Sequence, residues 1–495
     1  MCVSRAVESS KQSGAALIAF LLIFVTAASF ALLKGLNETA TQHHRDAQTA
    51  EALAEAKAAL IGYAVSRAVT PAVCSAPGNN CSRPGDLPCP DRDNTGDLLT
   101  PTGSPEPHCG NASGSTDQPR RIGRLPWRSL GLADLRDGDG ERLWYAVSTN
   151  FKNNTRSSCT NASAAGCLNS NVRGTITVYA RNGTLIHDGR NQDPWAPSGL
   201  VAVVFAPGKV LRRQGATRDQ DRSCTGGSCN ANDACTSLPA TNTRKCSPRE
   251  YLDIAHGEDN ATFYDGPIIS NRTNGFIEGA VFDLTGNLIV NDKILAITYQ
   301  DLIPLLEKRV VGEVLTCLRD YAVDPANSGR FPWAAPLGGA APSYLGVVDA
   351  RFGRVPDPPL TVMLGMENSW PSACNVNSGI NWWFNWKELL FYGVADAYKP
   401  TALTPPSCAS SSCLTVDPPS PVADRQVAVI AAGKRLAGIP GGQPRSSATD
   451  KGIVSNYLED NNASQPSISP YTDDSFTATP TTATFNDVVC KQGVC

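Results

Sequence analysis

Residues 15–33, AALIAFLLIFVTAASFALL, form an uncharged apolar run. At 1.5 Å per residue a helix over that run is about 28 Å long, the thickness of a hydrocarbon core. Helical spacing continues through residues 37–69, where Leu53, Ala56, Leu60, Ile61, Ala64 and Val65 recur among Glu51, Glu55, Lys57 and Arg67. Pro71 ends the pattern. Together these segments predict one helix over about 15–69, roughly 80 Å long, apolar in its first third and amphipathic in its last. A second amphipathic helix is predicted over 300–323, with Leu302, Ile303, Leu306, Val310, Val314 and Leu318 on one face and Thr298 near its N-cap. Short Val- and Ile-rich segments at 173–179, 200–205, 279–284, 287–290, 294–298 and 426–431 read as strands. Asp283-Leu284-Thr285-Gly286-Asn287 reads as a hairpin turn. The fold class expected is α+β: a long N-terminal helix, transmembrane then amphipathic, followed by helix-plus-antiparallel-sheet units rich in loops and disulfides.

Self-comparison shows why there is more than one such unit. Gly123-Arg124-Leu125-Pro126-Trp127 recurs as Gly329-Arg330-Phe331-Pro332-Trp333, and Leu143-Trp144-Tyr145-Ala146-Val147 as Leu390-Phe391-Tyr392-Gly393-Val394. The stretch from Val201 to Lys209 is echoed from Val427 to Lys434, Tyr251-Leu252-Asp253 by Tyr457-Leu458-Glu459, and Asn291-Asp292 by Asn486-Asp487. Ile61-Gly62-Tyr63-Ala64-Val65 precedes the first set as Arg319-Asp320-Tyr321-Ala322-Val323 precedes the second. Matches in one order imply a duplication. The division expected is 1–14 as a leader, 15–33 as a transmembrane segment, 34–300 as a first module and 301–495 as a second.

Composition narrows the function classes. With 43 Lys+Arg against 46 Asp+Glu in 495 residues, the chain lacks the basic excess of a nucleic-acid binder. One apolar run does not make a multi-span transporter. Seventeen cysteines imply an oxidising compartment. Their gaps do not follow zinc spacing, and near neighbours suggest bridges at Cys159/Cys167, Cys408/Cys413 and Cys490/Cys495, with Cys317 and Cys374 left as an isolated pair.

The junction Lys11-Gln12-Ser13-Gly14 followed by Ala15-Ala16-Leu17-Ile18, leading into the long helix, resembles the type IV pilin and type II secretion pseudopilin superfamily. That resemblance implies cleavage after Gly14 by a prepilin peptidase and methylation of Ala15 as the new N-terminus. It also implies partners: other pilin or pseudopilin subunits through the helix, and an inner-membrane assembly platform. The placement implied is a bacterial inner membrane, single-pass with the C-terminal bulk in the periplasm, and later a surface filament. The family's usual Glu at mature position five is Ala19 here, as in minor, tip-type members. The function expected is a minor subunit at the tip or as an initiator of assembly, with surface adhesion as a further role, and no enzymatic activity. The alternative is an anchored periplasmic enzyme or carbohydrate-binding protein outside any filament.

Two segments suggest ligands. Asp91, Asp93, Thr95 and Asp97 place oxygens at alternate positions with Gly96 sixth, as in the opening of a calcium loop, although the twelfth position is Thr102 and not Glu. A solvated turn rich in Asp and Asn is the other reading, and calcium is the one cofactor the sequence suggests. Asp134, Asp137, Asp139 and Glu141 form a second acidic turn. Trp382, Trp383 and Trp386 concentrate aromatic surface suited to a carbohydrate or protein contact, or to a second core. The sequence contains no Gly-x-Ser-x-Gly, P-loop or dinucleotide fingerprint.

Overall fold

The computed structural model describes residues 13–67, 83–91, 109, 121–152, 167–190, 199–222, 247–263, 275–337, 344–374, 376, 381–402, 406–408, 412–417, 420–437, 442–465 and 474–491. Helix α1 runs unbroken over Ser13–Ser66, with side chains described from Thr39 on. It docks through Leu53, Ala56, Leu60 and Ala64, spaced three or four apart and all at least nine-tenths buried.

Among the described residues no helix is long and apolar enough to cross a membrane. This overturns the transmembrane segment expected at 15–33, together with the leader and the single-pass inner-membrane placement that depended on it. Where side chains are described, charge rules out a span. From Thr39 on, α1 carries Arg45, Asp46, Glu51, Glu55 and Lys57, and the second long helix, α2 (Tyr299–Ala322), carries charged residues at almost every turn.

The expected plan of a helix on one antiparallel sheet is also too simple. The described strands are two to six residues long and fall into six small sheets, two of four strands, two of three and two of two. The 173–179 strand contracts to Val178–Tyr179, because its earlier part joins the sheet system only through an isolated bridge from Ile176 to Leu200.

The two four-stranded sheets are built alike. The first orders β1 (Ile122–Arg124), β2 (Trp144–Val147), β3 (Ala202–Ala206) and β4 (Lys293–Ile297), all antiparallel. The second orders β5 (Phe352–Arg354), β6 (Leu390–Val394), β7 (Val427–Ala431) and β8 (Val488–Lys491) in the same way. Tyr145 and Val147 point into the core shared with the helices, while Trp144 and Ala146 point into a separate cluster behind the sheet. Both faces are buried, so these strands read as apolar runs. Helix α1 packs on β3 and β4, α2 packs on β7 and β8, and α1 lies against α2. One apolar core therefore passes through both modules. α2 starts with a capping box, Thr298 accepting from the Asp301 amide while Asp301 accepts from the Thr298 amide.

The structure corrects one repeat pairing. Gly329-Arg330-Phe331-Pro332-Trp333 corresponds not to residues 123–127 but to Gly85-Asp86-Leu87-Pro88-Cys89. Gly85 and Gly329 both have positive φ, and their amides cap α1 and α2 at Ala64 O and Ala322 O. Pro88 O accepts from the Tyr145 hydroxyl, and Pro332 O from the Tyr392 hydroxyl. The true partner of Arg121-Ile122-Gly123-Arg124-Leu125-Pro126 is Arg351-Phe352-Gly353-Arg354-Val355-Pro356, on β1 and β5.

Candidate functional site

Where α1 meets the first module, about two turns of helix are fastened by polar contacts. Asp46 accepts from Lys293 on β4 at 2.5 Å and from Gln42 at 3.0 Å. Arg45 reaches Asp139 at 3.3 Å. The Gly138 amide donates to Thr49 Oγ1 at 2.9 Å. A Cβ on residue 138 would lie 2.2 Å from Arg45 O, so only glycine lets the loop come this close to the helix. Beside these contacts opens a cleft of about 380 Å³ lined by Gln42, Arg45, Asp46, Asp139, Lys209 and Lys293. The hydrogen bond from Lys293 holds the Asp46 carboxyl below its usual range despite partial burial. N-terminal to this point, Thr39 to Arg45 are exposed on every face of the helix. Among the residues of α1 whose side chains are described, burial against the body begins at about Asp46.

The rest of the polar interior is a scaffold made twice. In the first module Arg222 donates to the carbonyls of Gly208, Glu250 and Tyr251 and to Gln220 Oε1. In the second, Arg445 donates to the carbonyls of Gly433, Asn456 and Tyr457 and to Gln443 Oε1. Gln220 then donates to Asp253 as Gln443 does to Glu459. Asn260 donates to Asp292 as Asn462 does to Asp487. The Asp253 and Glu459 amides close each circuit on Asp292 and Asp487 at 2.8 and 3.0 Å. Tyr251 lies between the guanidiniums of Arg124 and Arg222, and Tyr457 between those of Arg354 and Arg445. Burial first, and then the neighbouring carboxylate, push Asp292 and Asp487 well above the usual carboxylate range.

The residues singled out in the sequence lie as follows. Trp382, Trp383 and Trp386 are buried on the short helix α3 (Asn381–Trp386), with no exposed ring face. Trp383 Nε1 donates to Asp357 at 2.5 Å. The same helix supplies Asn385, whose Oδ1 accepts from Arg83 at 3.0 Å and from the Leu168 amide at 2.8 Å, tying the second module to the first. Asp91 is buried and exchanges backbone hydrogen bonds with Arg124, while Asp93, Thr95 and Asp97 lie outside the described residues. Among the described residues no group of three or more His, Cys, Asp or Glu side chains is arranged to hold a metal. In the second acidic turn, Asp137 accepts from the amides of Asp139, Glu141 and Gly208, and Asp134 pairs with Arg136 and Arg142. The turn's carboxylates are thus taken up by its own amides and by neighbouring groups of the fold.

Cys317 is joined to Cys374, Cys408 to Cys413 and Cys89 to Cys109. Cys167 and Cys490 are disulfide-bonded, whereas Cys159 and Cys495 lie outside the described residues, and at Gly14 and Ala15 only the helical backbone is described. Sequence reasoning missed the contacts at the helix root, because Asp46 and Lys293 lie 247 positions apart and Arg45 and Asp139 94. No known protein family, characterised protein or solved structure matches this chain.

Proposed function

We propose that the protein is a minor, pilin-like subunit that enters a type IV pilus or type II secretion pseudopilus, at its tip or as an initiator, through α1. The observation that carries this reading is a continuous helix of 54 residues whose described stretch from Thr39 to Arg45 is left exposed by its own body. From Ser13 to Thr49 the helix advances about 54 Å. Isolated helical segments are only marginally stable in water, and most helical stability comes from packing. The exposed turns from Thr39 to Arg45 offer a surface to partner helices, and a bundle of like subunits supplies them. The remainder, two stapled modules on one core, is the cargo that such a helix would present, and adhesion is a role for that cargo.

A photo-crosslinking residue placed at position 40 or 44, on the exposed helix, is expected to join this chain to filament subunits in its native host. The same residue at position 319, on exposed α2 surface, is expected to give no such product. Equal labelling from both positions, or none from either, would count against assembly through α1 and favour a ligand-binding protein or enzyme outside any filament.

A further inference from the structure

The duplicated scaffold separates what the fold needs from what has been added to it. In each module a loop leaves the strand pair and returns to the glutamine of the polar network. Leu211 and Leu436 donate their amides to Gln220 Oε1 and Gln443 Oε1, which marks the same two ends of the loop in both modules. Between them the second module has Ala437-Gly438-Ile439-Pro440-Gly441-Gly442, without a charge. The first module has Arg212-Arg213-Gln214-Gly215-Ala216-Thr217-Arg218-Asp219. The next element repeats the contrast. Arg249-Glu250 precedes Tyr251 where Ser455-Asn456 precedes Tyr457. The second copy folds the same network without these arginines, so the fold does not require them.

In the first module three of them, Arg213, Arg218 and Arg249, line one open cleft of about 340 Å³ together with Thr217, Asp219 and Glu250. Most of the charge is already matched. Glu250 takes both nitrogens of Arg218, Asp219 pairs with Arg212 outside the cleft at 3.0 Å, and Asp259 pairs with one nitrogen of Arg213. Two donors are left over. Arg213 Nε is buried without a hydrogen-bond partner. Arg249 is exposed and makes no ion pair among the described residues. A buried donor without an acceptor is costly, and a guanidinium presents its N–H groups in a fork matched to two oxygens of one anion.

We infer that this cleft is a binding site for a small oxyanion-bearing ligand, held between Arg213 and Arg249, with Arg218 kept in place by Glu250. The volume admits a group of about monosaccharide size and not a folded partner. This inference stands apart from the filament reading, since it concerns the first module alone.

The test is isothermal titration of the full chain with inorganic phosphate and, separately, with glucuronate. Saturable binding of at least one probe is expected. Arg249→Ala should weaken it by about tenfold or more, since a charge-assisted pair is lost and no internal contact is disturbed, and Arg249→Lys should restore part of it. Arg319→Ala, at an exposed and remote position, should leave binding unchanged. Saturation by phosphate alone identifies a phosphoryl-type oxyanion, and saturation by glucuronate alone a carboxylate. Saturation by neither probe, or binding that Arg249→Ala and Arg319→Ala weaken equally, would overturn the inference.

Discussion

Replacing Arg445 with methionine tests whether the duplicated polar network holds each module together. Arg445 is fully buried and donates to Asn456 O at 2.6 Å, Gly433 O at 2.9 Å, Asn171 Oδ1 and Gln443 Oε1 at 3.1 Å, and Tyr457 O at 3.3 Å. Methionine keeps much of the volume and removes a buried charge, which by itself is favourable. It leaves the carbonyls of Asn456, Gly433 and Tyr457 without this buried donor, whereas Gln443 Oε1 keeps the Leu436 amide and Asn171 is partly exposed. At about 1–3 kcal/mol for each buried unsatisfied group, discounted for relaxation and for the charge no longer buried, the net loss is about 4–5 kcal/mol. Arg445→Lys should recover only a fraction, because an ammonium has three donors and cannot span five acceptors. Arg222→Met should cost a similar amount, since Arg222 meets the equivalent carbonyls of Gly208, Glu250 and Tyr251. Urea unfolding followed by far-UV circular dichroism and by tryptophan fluorescence gives both numbers where the two transitions coincide. A loss below about 1 kcal/mol for Arg445→Met would refute the argument that unmet acceptors outweigh the cost of the buried charge.

Two further outcomes follow from burial and close packing. Burial raises Asp86 and Asp253 to about 6 and Glu307 to about 8, so the native state keeps protons that the unfolded chain releases above about pH 4. Their contribution is complete below that pH and is lost as pH rises through 6 to 8. Asp283 works in the opposite direction. Its turn hydrogen bonds lower it to about 2, so its contribution is lost only as pH falls through that value. The melting temperature should therefore fall between pH 5 and 9, and Glu307→Gln should flatten the upper part of that slope; a profile that rises over the range would contradict this. Gly433→Ala should cost more than about 2 kcal/mol in the same urea assay, since the new Cβ would sit 2.2 Å from Asn486 Oδ1 and 2.5 Å from Asn486 O. A neutral outcome would mean that the turn yields more readily than the structure implies.

Much of this architecture is visible in local pattern. The helical spacing of Leu302, Leu306, Val310 and Val314 matches the buried face of α2, and Thr298 is its N-cap. Leu143-Trp144-Tyr145-Ala146-Val147 and Leu390-Phe391-Tyr392-Gly393-Val394 fall on the equivalent strands β2 and β6. What misled was shared lettering. Residues 123–127 resemble 329–333, yet the repeat depends on a positive-φ glycine that caps a helix and on a proline carbonyl that meets a tyrosine hydroxyl, neither of which needs the same neighbours. The cluster at Trp382, Trp383 and Trp386 could not be placed by composition, because a row of indoles suits an exposed platform and a core equally well. The root cleft and the arginine cleft are assembled from segments far apart in the chain, and only the folded chain brings Arg213 beside Arg249.

The most direct test of the functional account is quantitative mass spectrometry of filaments sheared from the surface of the native host and purified, measuring peptides of this chain against those of the major subunit. The account predicts that its peptides copurify at a few copies per filament, and that deleting residues 13–45 abolishes copurification while the modules still fold. Filaments free of this chain, together with unchanged filament number in a strain lacking it, would contradict it.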